Sequence, residues 1–267
     1  MTTGQLPSDE RAERERRRAE EVSRSILMGT NPMMRMGRHV FVALPSQEHC
    51  KLCASPLKGA WGGVMSMIGK APWPKNPKYC SWCFKDMVKR RSGAEIPCSL
   101  LFADVRGSTE LAEQMTPTAF RGLMNRFFAV ATEVLVNHDA IVDKFVGDEV
   151  IALFIPLLTG ELHANRAIDS GQAVLAATAG WISIGAGVNT GIAFVGAIGP
   201  GDQAEFTAMG DPVNVAARLA SAAGGGELLV SAAAIEAAKF DDAGLEHRRL
   251  DLKGKSESTE VAVLGAA

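Results

Sequence analysis

The chain has 267 residues, of which 47% are hydrophobic and 22% are charged, and its formal net charge is −2. These proportions exclude a chain that is disordered throughout. No run of about 18 uninterrupted apolar residues occurs and the N-terminus lacks the apolar core of a secretion signal, so we predict a cytoplasmic protein with no membrane insertion.

Residues 1–39 are predicted to form a charged, partly disordered N-terminal helix. A thin apolar stripe recurs at helical spacing within it, at Ala12, Ala19, Val22 and Ile26. The first 98 residues are basic, but their arginines interleave with glutamates (ERAERERRRAEE). Ion pairs four residues apart explain this pattern better than a nucleic-acid surface does, so we expect no nucleic-acid partner.

Residues 40–95 contain two cysteine pairs, Cys50 with Cys53 and Cys80 with Cys83, and are rich in Gly and Pro. Each pair can place two thiolates on one ion, and the two pairs complete a tetrahedral site. Structural Zn²⁺ is the first interpretation, because such a segment has little apolar area with which to fold unaided. An iron–sulfur or single-iron centre is the alternative, since four thiolates suit it equally well. His49 is interpreted as a bystander and Cys98 as a core thiol.

Residues 96–267 alternate apolar runs with long helical patterns. We predict strands at 99–105, 140–145, 149–154, 183–188, 193–198, 205–209 and 228–231, and helices at 108–138, 162–179 and 212–222, with a short helix and two strands after them. The order strand-helix-strand-strand-helix-strand is that of the split βαβ plan. We therefore predict an α+β, ferredoxin-like (βαββαβ) domain with appended strands.

Asp104 ends the first predicted strand of this domain and is followed by a glycine turn into a helix, in the segment FADVRGST. Asp, Ser and Thr at such a turn can simply cap the helix. Alternatively, the carboxylate binds a metal while backbone N–H groups at the helix start hold phosphates. The segment alone leaves both interpretations open.

Asp148 lies in the turn of the predicted hairpin, within KFVGDE. A Gly-Asp turn can be selected for backbone shape alone. In the predicted topology, however, this hairpin lies beside the first strand, so that Asp104 and Asp148 face each other. Paired carboxylates on neighbouring strands are what two Mg²⁺ ions require.

Asn214 and Arg218 are four residues apart, on one face of a helix that Pro212 can begin. Such a pair can be an ordinary exposed face with Val213 and Val215 packed inward. Because this segment follows the two carboxylate segments in this order, we favour a functional role.

The segments FADVRGSTELAE, DKFVGDE and EFTAMGDPVNVAARLASAAG resemble the three signature segments of class III nucleotide cyclases, the adenylate/guanylate cyclase catalytic domain, over about residues 96–265. The resemblance implies a ferredoxin-like domain that works as a head-to-tail homodimer, with two composite active sites at the interface. It implies that Asp104 and Asp148, helped by the Val105 carbonyl, bind two Mg²⁺ or Mn²⁺ ions.

The resemblance also implies the substrate contacts. The matching positions are Lys144 and Thr207 for the purine, Asn214 for the ribose, Arg218 for the transition state, Gly107, Ser108 and Thr109 for the phosphate loop, and Lys253 for the terminal phosphates, with Lys255 a weaker match. Ser108 replaces an aromatic residue that is common in animal members.

The identity of Lys144 bears on the base. Its ammonium donates and so suits the N1 acceptor of adenine, whereas guanine N1 carries a hydrogen. Guanylate cyclases of the family carry an acidic residue there. The Thr207 hydroxyl can accept from the adenine amino group, but a hydroxyl also donates, so that Thr207 alone discriminates weakly.

We therefore predict an adenylate cyclase that converts ATP to 3′,5′-cyclic AMP and pyrophosphate. The alternatives are a cyclase for GTP or pyrimidine triphosphates, a non-catalytic nucleotide-binding regulatory domain, and a metal or redox sensor whose output is the cyclase. Intact metal-binding aspartates and Arg218 argue against the non-catalytic alternative.

Overall fold

The computed structural model describes residues 8–74, 76–89, 93–200, 203–251 and 258–265. Helices in these ranges are α1 (Ser8–Leu27), α2 (Pro32–Val42), α3 (Gly59–Met67), α4 (Ser81–Lys89), α5 (Ser108–Gln114), α6 (Pro117–Asn137), α7 (Pro156–Thr159), α8 (His163–Thr178), α9 (Asp211–Ala222) and α10 (Ala232–Ala238), with a 3₁₀ turn at Gly160–Leu162. The strands are β1 (Pro72–Trp73), β2 (Asn76–Cys80), β3 (Gly93–Val105), β4 (Ile141–Val146), β5 (Glu149–Phe154), β6 (Ile184–Ile198), β7 (Glu205–Met209), β8 (Leu228–Ser231), β9 (Glu246–Leu250) and β10 (Thr259–Leu264).

The main sheet has eight strands in the order β4-β5-β3-β6-β8-β10-β9, and β7 pairs with β6. Its first four strands are antiparallel neighbours, and β3 lies between β5 and β6. This arrangement is the split βαβ plan, in which the first strand of the fold pairs with the third and the fourth. The predicted ferredoxin-like α+β fold with appended strands is confirmed.

One face of the sheet is covered by α6, α8 and α10. Side chains alternate between the two faces of a strand, so that Leu101 points into this layer while Leu100 points into the opposite one. The layer includes the fully buried Phe127, Phe154 and Ile168. It is the larger apolar cluster and fixes the two long helices on the sheet.

The opposite face of the sheet is covered by α9 and by the N-terminal segment that carries the cysteines. One continuous apolar cluster joins Tyr79 and Phe84 of that segment to Ile96, Leu153 and Phe206 of the sheet. Leu27 at the end of α1 belongs to the same cluster and is 4% exposed. The cysteine segment therefore folds against the sheet.

The predicted helix at 108–138 is wrong in one respect, because two helices occupy that range. α5 ends at Gln114, and Thr116 caps α6 by accepting a hydrogen bond from the backbone N–H of Ala119 (3.3 Å). Pro117 then occupies the first position of α6. A proline disfavours helical backbone at the residue before it, so the chain must interrupt the helix at Thr116.

The predicted strands at 183–188 and 193–198 are also wrong as separate elements, because β6 is one strand of 15 residues. Its register with β3 is continuous from Val105↔Ile184 to Gly93↔Gly196. The polar and glycine residues Asn189, Thr190 and Gly191 suggest a turn locally. Pairing with β3 keeps them extended instead, because each backbone group in the sheet needs its partner.

Among the helices described, none is both long and apolar enough to cross a membrane.

Candidate active site and cysteine centre

Asp104 and Asp148 lie side by side at one end of the sheet. Asp104 is the penultimate residue of β3, and Asp148 is in the tight turn between β4 and β5. Burial raises the pKa of Asp104, the Arg106 guanidinium opposes that rise, and the charge of Asp148 together with a hydrogen bond to it raises the pKa further. The two carboxylates are therefore close enough to disfavour joint ionisation, which a divalent cation between them would relieve.

Glu149 is a third carboxylate in this cluster and was not predicted from the sequence. The β3–β5 register places it directly opposite Asp104. Burial, and then the charges of Asp104 and Asp148, raise the pKa of Glu149 to about 7, although Arg106 acts to lower it. Its position immediately after Asp148 was the only sequence feature that pointed to a role in the site. That it faces Asp104 follows only from the register of β3 with β5.

Arg106 is the cation of the cluster. Its guanidinium pairs with the Asp104 carboxylate and donates hydrogen bonds to the carbonyls of Ser221 (3.1 Å) and Ala223 (3.2 Å) at the end of α9. The side chain thus connects the carboxylates to α9. No role for Arg106 could be predicted from the sequence, because its contacts with α9 are to residues more than 100 positions away in the chain.

The turn after β3 contains the predicted phosphate loop. Val105 is buried at the strand end, and Gly107 has φ +69°, in the left-handed region that favours glycine. Ser108 and Thr109 then begin α5, and the first N–H groups of a helix have no partner within it. This part of the chain can therefore offer backbone donors to an anion.

Lys144 and Thr207 come together through two acidic neighbours, although they are far apart in the chain. Lys144 Nζ donates to Glu205 Oε2 (2.9 Å), and Thr207 Oγ1 donates to Asp143 Oδ2 (2.5 Å). Asp143 and Lys144 of β4 thus each pair with a residue of β7. Burial alone acts to lower the pKa of Lys144, but Glu205 and Asp143 outweigh it and the pKa is raised. Lys144 is therefore a stable ammonium donor.

Asn214 and Arg218 lie on the outward side of α9, while Val215, Ala216 and Leu219 are buried beneath it. Asn214 is exposed and Arg218 is half-buried. Neither side chain makes a hydrogen bond or ion pair within the part of the chain that the structure describes, and no such contact joins them to Asp104 or Asp148. Lys253 and Lys255 lie outside the described residues.

The four paired cysteines converge on one point. The sulfur atoms of Cys50, Cys53, Cys80 and Cys83 all lie within 4.8 Å of one another. Two of the separations are 3.7 Å (Cys53 to Cys80) and 3.4 Å (Cys80 to Cys83). A tetrahedral ion with metal–sulfur bonds of about 2.3 Å needs sulfur atoms about 3.8 Å apart, so the residues present fit a four-thiolate metal site.

Hydrogen-bond donors lie beside two of the four sulfur atoms. The backbone N–H of Cys80 donates to Cys50 Sγ (3.2 Å), and Lys70 Nζ lies 3.7 Å from Cys53 Sγ. His49 Nε2 donates to the Leu44 carbonyl (3.0 Å), and His49 is not part of the cysteine group. Cys98 is fully buried, and burial raises the pKa of its thiol to about 12, which confirms it as a core thiol.

Comparisons with known proteins agree with this fold. Residues 92–265 match the family model of the adenylate and guanylate cyclase catalytic domain. The chain is 30% identical over 177 residues to the uncharacterized protein Rv1318c of Mycobacterium tuberculosis, covering 64% of this chain and 33% of that protein. The chain thus spans about a third of the length of the curated relatives it matches.

Two solved structures are similar over the same region. The guanylyl cyclase Cya2 matches with a TM-score of 0.60 and 28% identity, over 66% of this chain and 95% of that one. The adenylyl cyclase CyaB from P. aeruginosa matches with a TM-score of 0.58 and 27% identity, over 66% of this chain and 97% of that one. The chain belongs to the class III nucleotide cyclases, the adenylate and guanylate cyclase catalytic domain family.

Proposed function

We propose that this chain is an adenylate cyclase, which converts ATP to 3′,5′-cyclic AMP and pyrophosphate at the interface of a homodimer. The observation that carries the base specificity is the hydrogen bond from Thr207 to Asp143 (2.5 Å). A hydroxyl has a single hydrogen, and a carboxylate can only accept. With that hydrogen directed to Asp143, the Thr207 oxygen can only accept from a nucleotide base.

Adenine matches this polarity and guanine does not. The adenine 6-amino group donates, whereas guanine has a carbonyl at that position and would place two acceptors against each other. Lys144 is a donor, which suits adenine N1 and not the N1–H of guanine. Glu205 accepts one ammonium hydrogen of Lys144 (2.9 Å) and Asp143 Oδ1 lies 3.8 Å from the same ammonium, so the ammonium still has a hydrogen to donate to the base. Both residues therefore favour ATP over GTP.

The catalytic roles follow from charge. Asp104 and Asp148, with the Val105 carbonyl, would hold two Mg²⁺ or Mn²⁺ ions, which lower the pKa of the ribose 3′-hydroxyl and neutralise the triphosphate. Arg218 supplies a fixed positive charge where negative charge develops, and Asn214 orients the ribose. The loop at Gly107, Ser108 and Thr109, together with Lys253, binds the phosphates.

The dimer is supported by the absence of side-chain partners for Asn214 and Arg218 within the described part of the chain. Neither has a partner within the described part of its own chain, although both belong to α9 beside the carboxylate cluster. In a head-to-tail homodimer, α9 of one subunit faces the carboxylates of the other. Each site then takes Asp104 and Asp148 from one subunit, and Lys144, Thr207, Asn214 and Arg218 from its partner.

Turnover of the purified chain with each of the four nucleoside triphosphates, in Mg²⁺ and in Mn²⁺, tests the proposal. We expect cyclic AMP as the main product and a clear preference of kcat/KM for ATP. A higher kcat/KM for GTP or CTP would contradict the base specificity, and no cyclic product from any triphosphate would contradict the enzymatic function.

A further inference from the structure

The cysteine segment contacts the strand that carries Lys144 through Asn76. Asn76 is 1% exposed; its Nδ2 donates to the Val142 carbonyl and its Oδ1 accepts from the Val142 N–H, both at 3.4 Å. The side-chain amide thus pairs with β4 as a neighbouring strand would. The β4–β5 register shifts between Val142 and Lys144, so Asp143 lies at an irregularity of the strand. Asn76 therefore supports the backbone where regular pairing with β5 is interrupted.

Further contacts from the cysteine segment reach β4 and β7. Tyr79 is fully buried and donates its hydroxyl to the Ala140 carbonyl (3.0 Å), one residue before β4. The ring of Phe84 packs edge-on against Phe206 at 6.5 Å between centroids. Phe206 directly precedes Thr207 in β7. Both strands that carry the base-recognition residues are thus contacted from the same segment.

These contact residues are chain neighbours of the cysteines. Tyr79 precedes Cys80, Phe84 follows Cys83, and Lys51, which forms an ion pair with Asp139, follows Cys50. A metal ion bound by all four thiolates would join β2, α4 and the loop at Cys50 into one unit. Without the ion, Tyr79 and Phe84 still pack in the apolar cluster with the sheet, but β2, α4 and the loop at Cys50 are no longer joined to one another through the thiolates.

We propose that the metal-loaded four-cysteine site positions Lys144 and Thr207 for base recognition, with Asn76 as the positioning residue on β4 and Phe84 on β7. This inference rests on the proposed function, because it assigns a support to residues that the proposal places at the base. The cysteine segment would then contribute to base specificity without touching the nucleotide, because it contacts the strands that carry Lys144 and Thr207.

The first test compares Asn76→Ala with Lys78→Ala in the full chain. Lys78 lies on the same strand but donates to Asn137 at the end of α6 (2.6 Å), so it is the matched control. We expect Asn76→Ala to raise the KM for ATP about tenfold and to reduce the preference for ATP over GTP, at unchanged metal content. Lys78→Ala should leave both quantities at the wild-type value. Asn76→Ala with wild-type KM and wild-type base preference would overturn the proposal.

The second test does not depend on turnover. Amide hydrogen exchange is measured on the full chain as purified with its metal and after chelator treatment. We expect faster exchange in residues 140–146 and 205–209 after metal removal, and unchanged exchange in Leu228–Ser231 and Thr259–Leu264 at the far side of the sheet. Unchanged exchange near Lys144 and Thr207, or a uniform increase in every strand, would overturn the positioning role.

These outcomes separate the inference from the proposed function. If the wild-type chain prefers GTP, the proposed specificity fails, but Asn76→Ala should still raise the KM for the preferred triphosphate. If ATP is preferred and Asn76→Ala and metal removal leave KM and exchange unchanged, the proposed function stands and the positioning role fails.

Discussion

Thr207 gives its hydroxyl hydrogen to Asp143, a residue 64 positions away in the chain and adjacent to Lys144. This bond turns a side chain that can donate or accept into one that only accepts toward the nucleotide. Asp143 thereby sets the polarity of a base contact that it does not itself make.

Replacing Asp143 by Asn is expected to weaken base discrimination. The amide can present its NH₂ to Thr207, and the hydroxyl is then free to donate to the guanine carbonyl. We expect the ratio of kcat/KM for ATP to that for GTP to fall about tenfold, as for the loss of one well-aligned hydrogen bond. Steady-state rates with both nucleotides measure it. Asp242→Asn, an acidic surface residue beside His247, is the control and should retain the wild-type ratio.

The composite site can be tested by mixing two inactive variants. Asp104→Ala removes a metal ligand and Arg218→Ala removes the transition-state cation, so each homodimer should lose cyclase activity. In a mixed dimer, one site carries both defects and the other carries neither. With free exchange and equal amounts, half of the dimers are mixed, so activity should recover to about a quarter of wild type. No recovery despite verified subunit exchange would indicate a site built within one chain.

The cysteine site is expected to hold one metal ion per chain. Elemental analysis of the purified protein measures the stoichiometry, and the visible spectrum separates colourless Zn²⁺ from coloured iron centres. Cys53→Ser should lower the metal content well below one ion per chain, because three thiolates do not complete the tetrahedron. Cys98→Ser, which changes a thiol outside the group, should retain the ion. Equal metal content in both variants would contradict the assignment.

His163 should make folding stability depend on pH. It is 8% exposed, its Nδ1 lies 2.8 Å from Ser99 Oγ, and burial lowers its pKa. The unfolded chain therefore binds a proton more readily than the folded chain does. The free energy of unfolding should fall as the pH drops below the unfolded value of about 6.5.

Urea unfolding at several pH values between about 7.5 and about 5.5 measures this effect, because that range brackets the histidine pKa of about 6.5 in the unfolded chain. His163→Gln should show a smaller loss of stability across that range than the wild-type chain does. His39→Gln, on the exposed helix α2, is the control and should lose stability as the wild type does. An unchanged pH dependence in His163→Gln would show that another group is responsible.

The sequence by itself determined the order of the elements and where the polar segments fall. Apolar periodicity predicted β4, β5 and α8 closely, because a buried face imposes its period on the residues that form it. It found only the second half of β3, which begins at Gly93 rather than at Ser99. The cysteine spacing predicted four thiols on one ion, because two short pairs each bring two sulfur atoms together. The motif segments also located Asp104 and Asp148, which the structure places side by side.

Only the tertiary structure decided the contacts between distant segments. Glu149 faces Asp104 through strand register, Thr207 of β7 bonds to Asp143 of β4, and Asn76 pairs with Val142 from a separate segment. None of these contacts has a local periodic signal. The same reason explains why β6 runs unbroken through Thr190 and Gly191: its pairing with β3 outweighs the local preference for a turn. Pairing between segments that are distant in the sequence depends on which surfaces come together when all the helices and strands pack, so no local pattern can predict it.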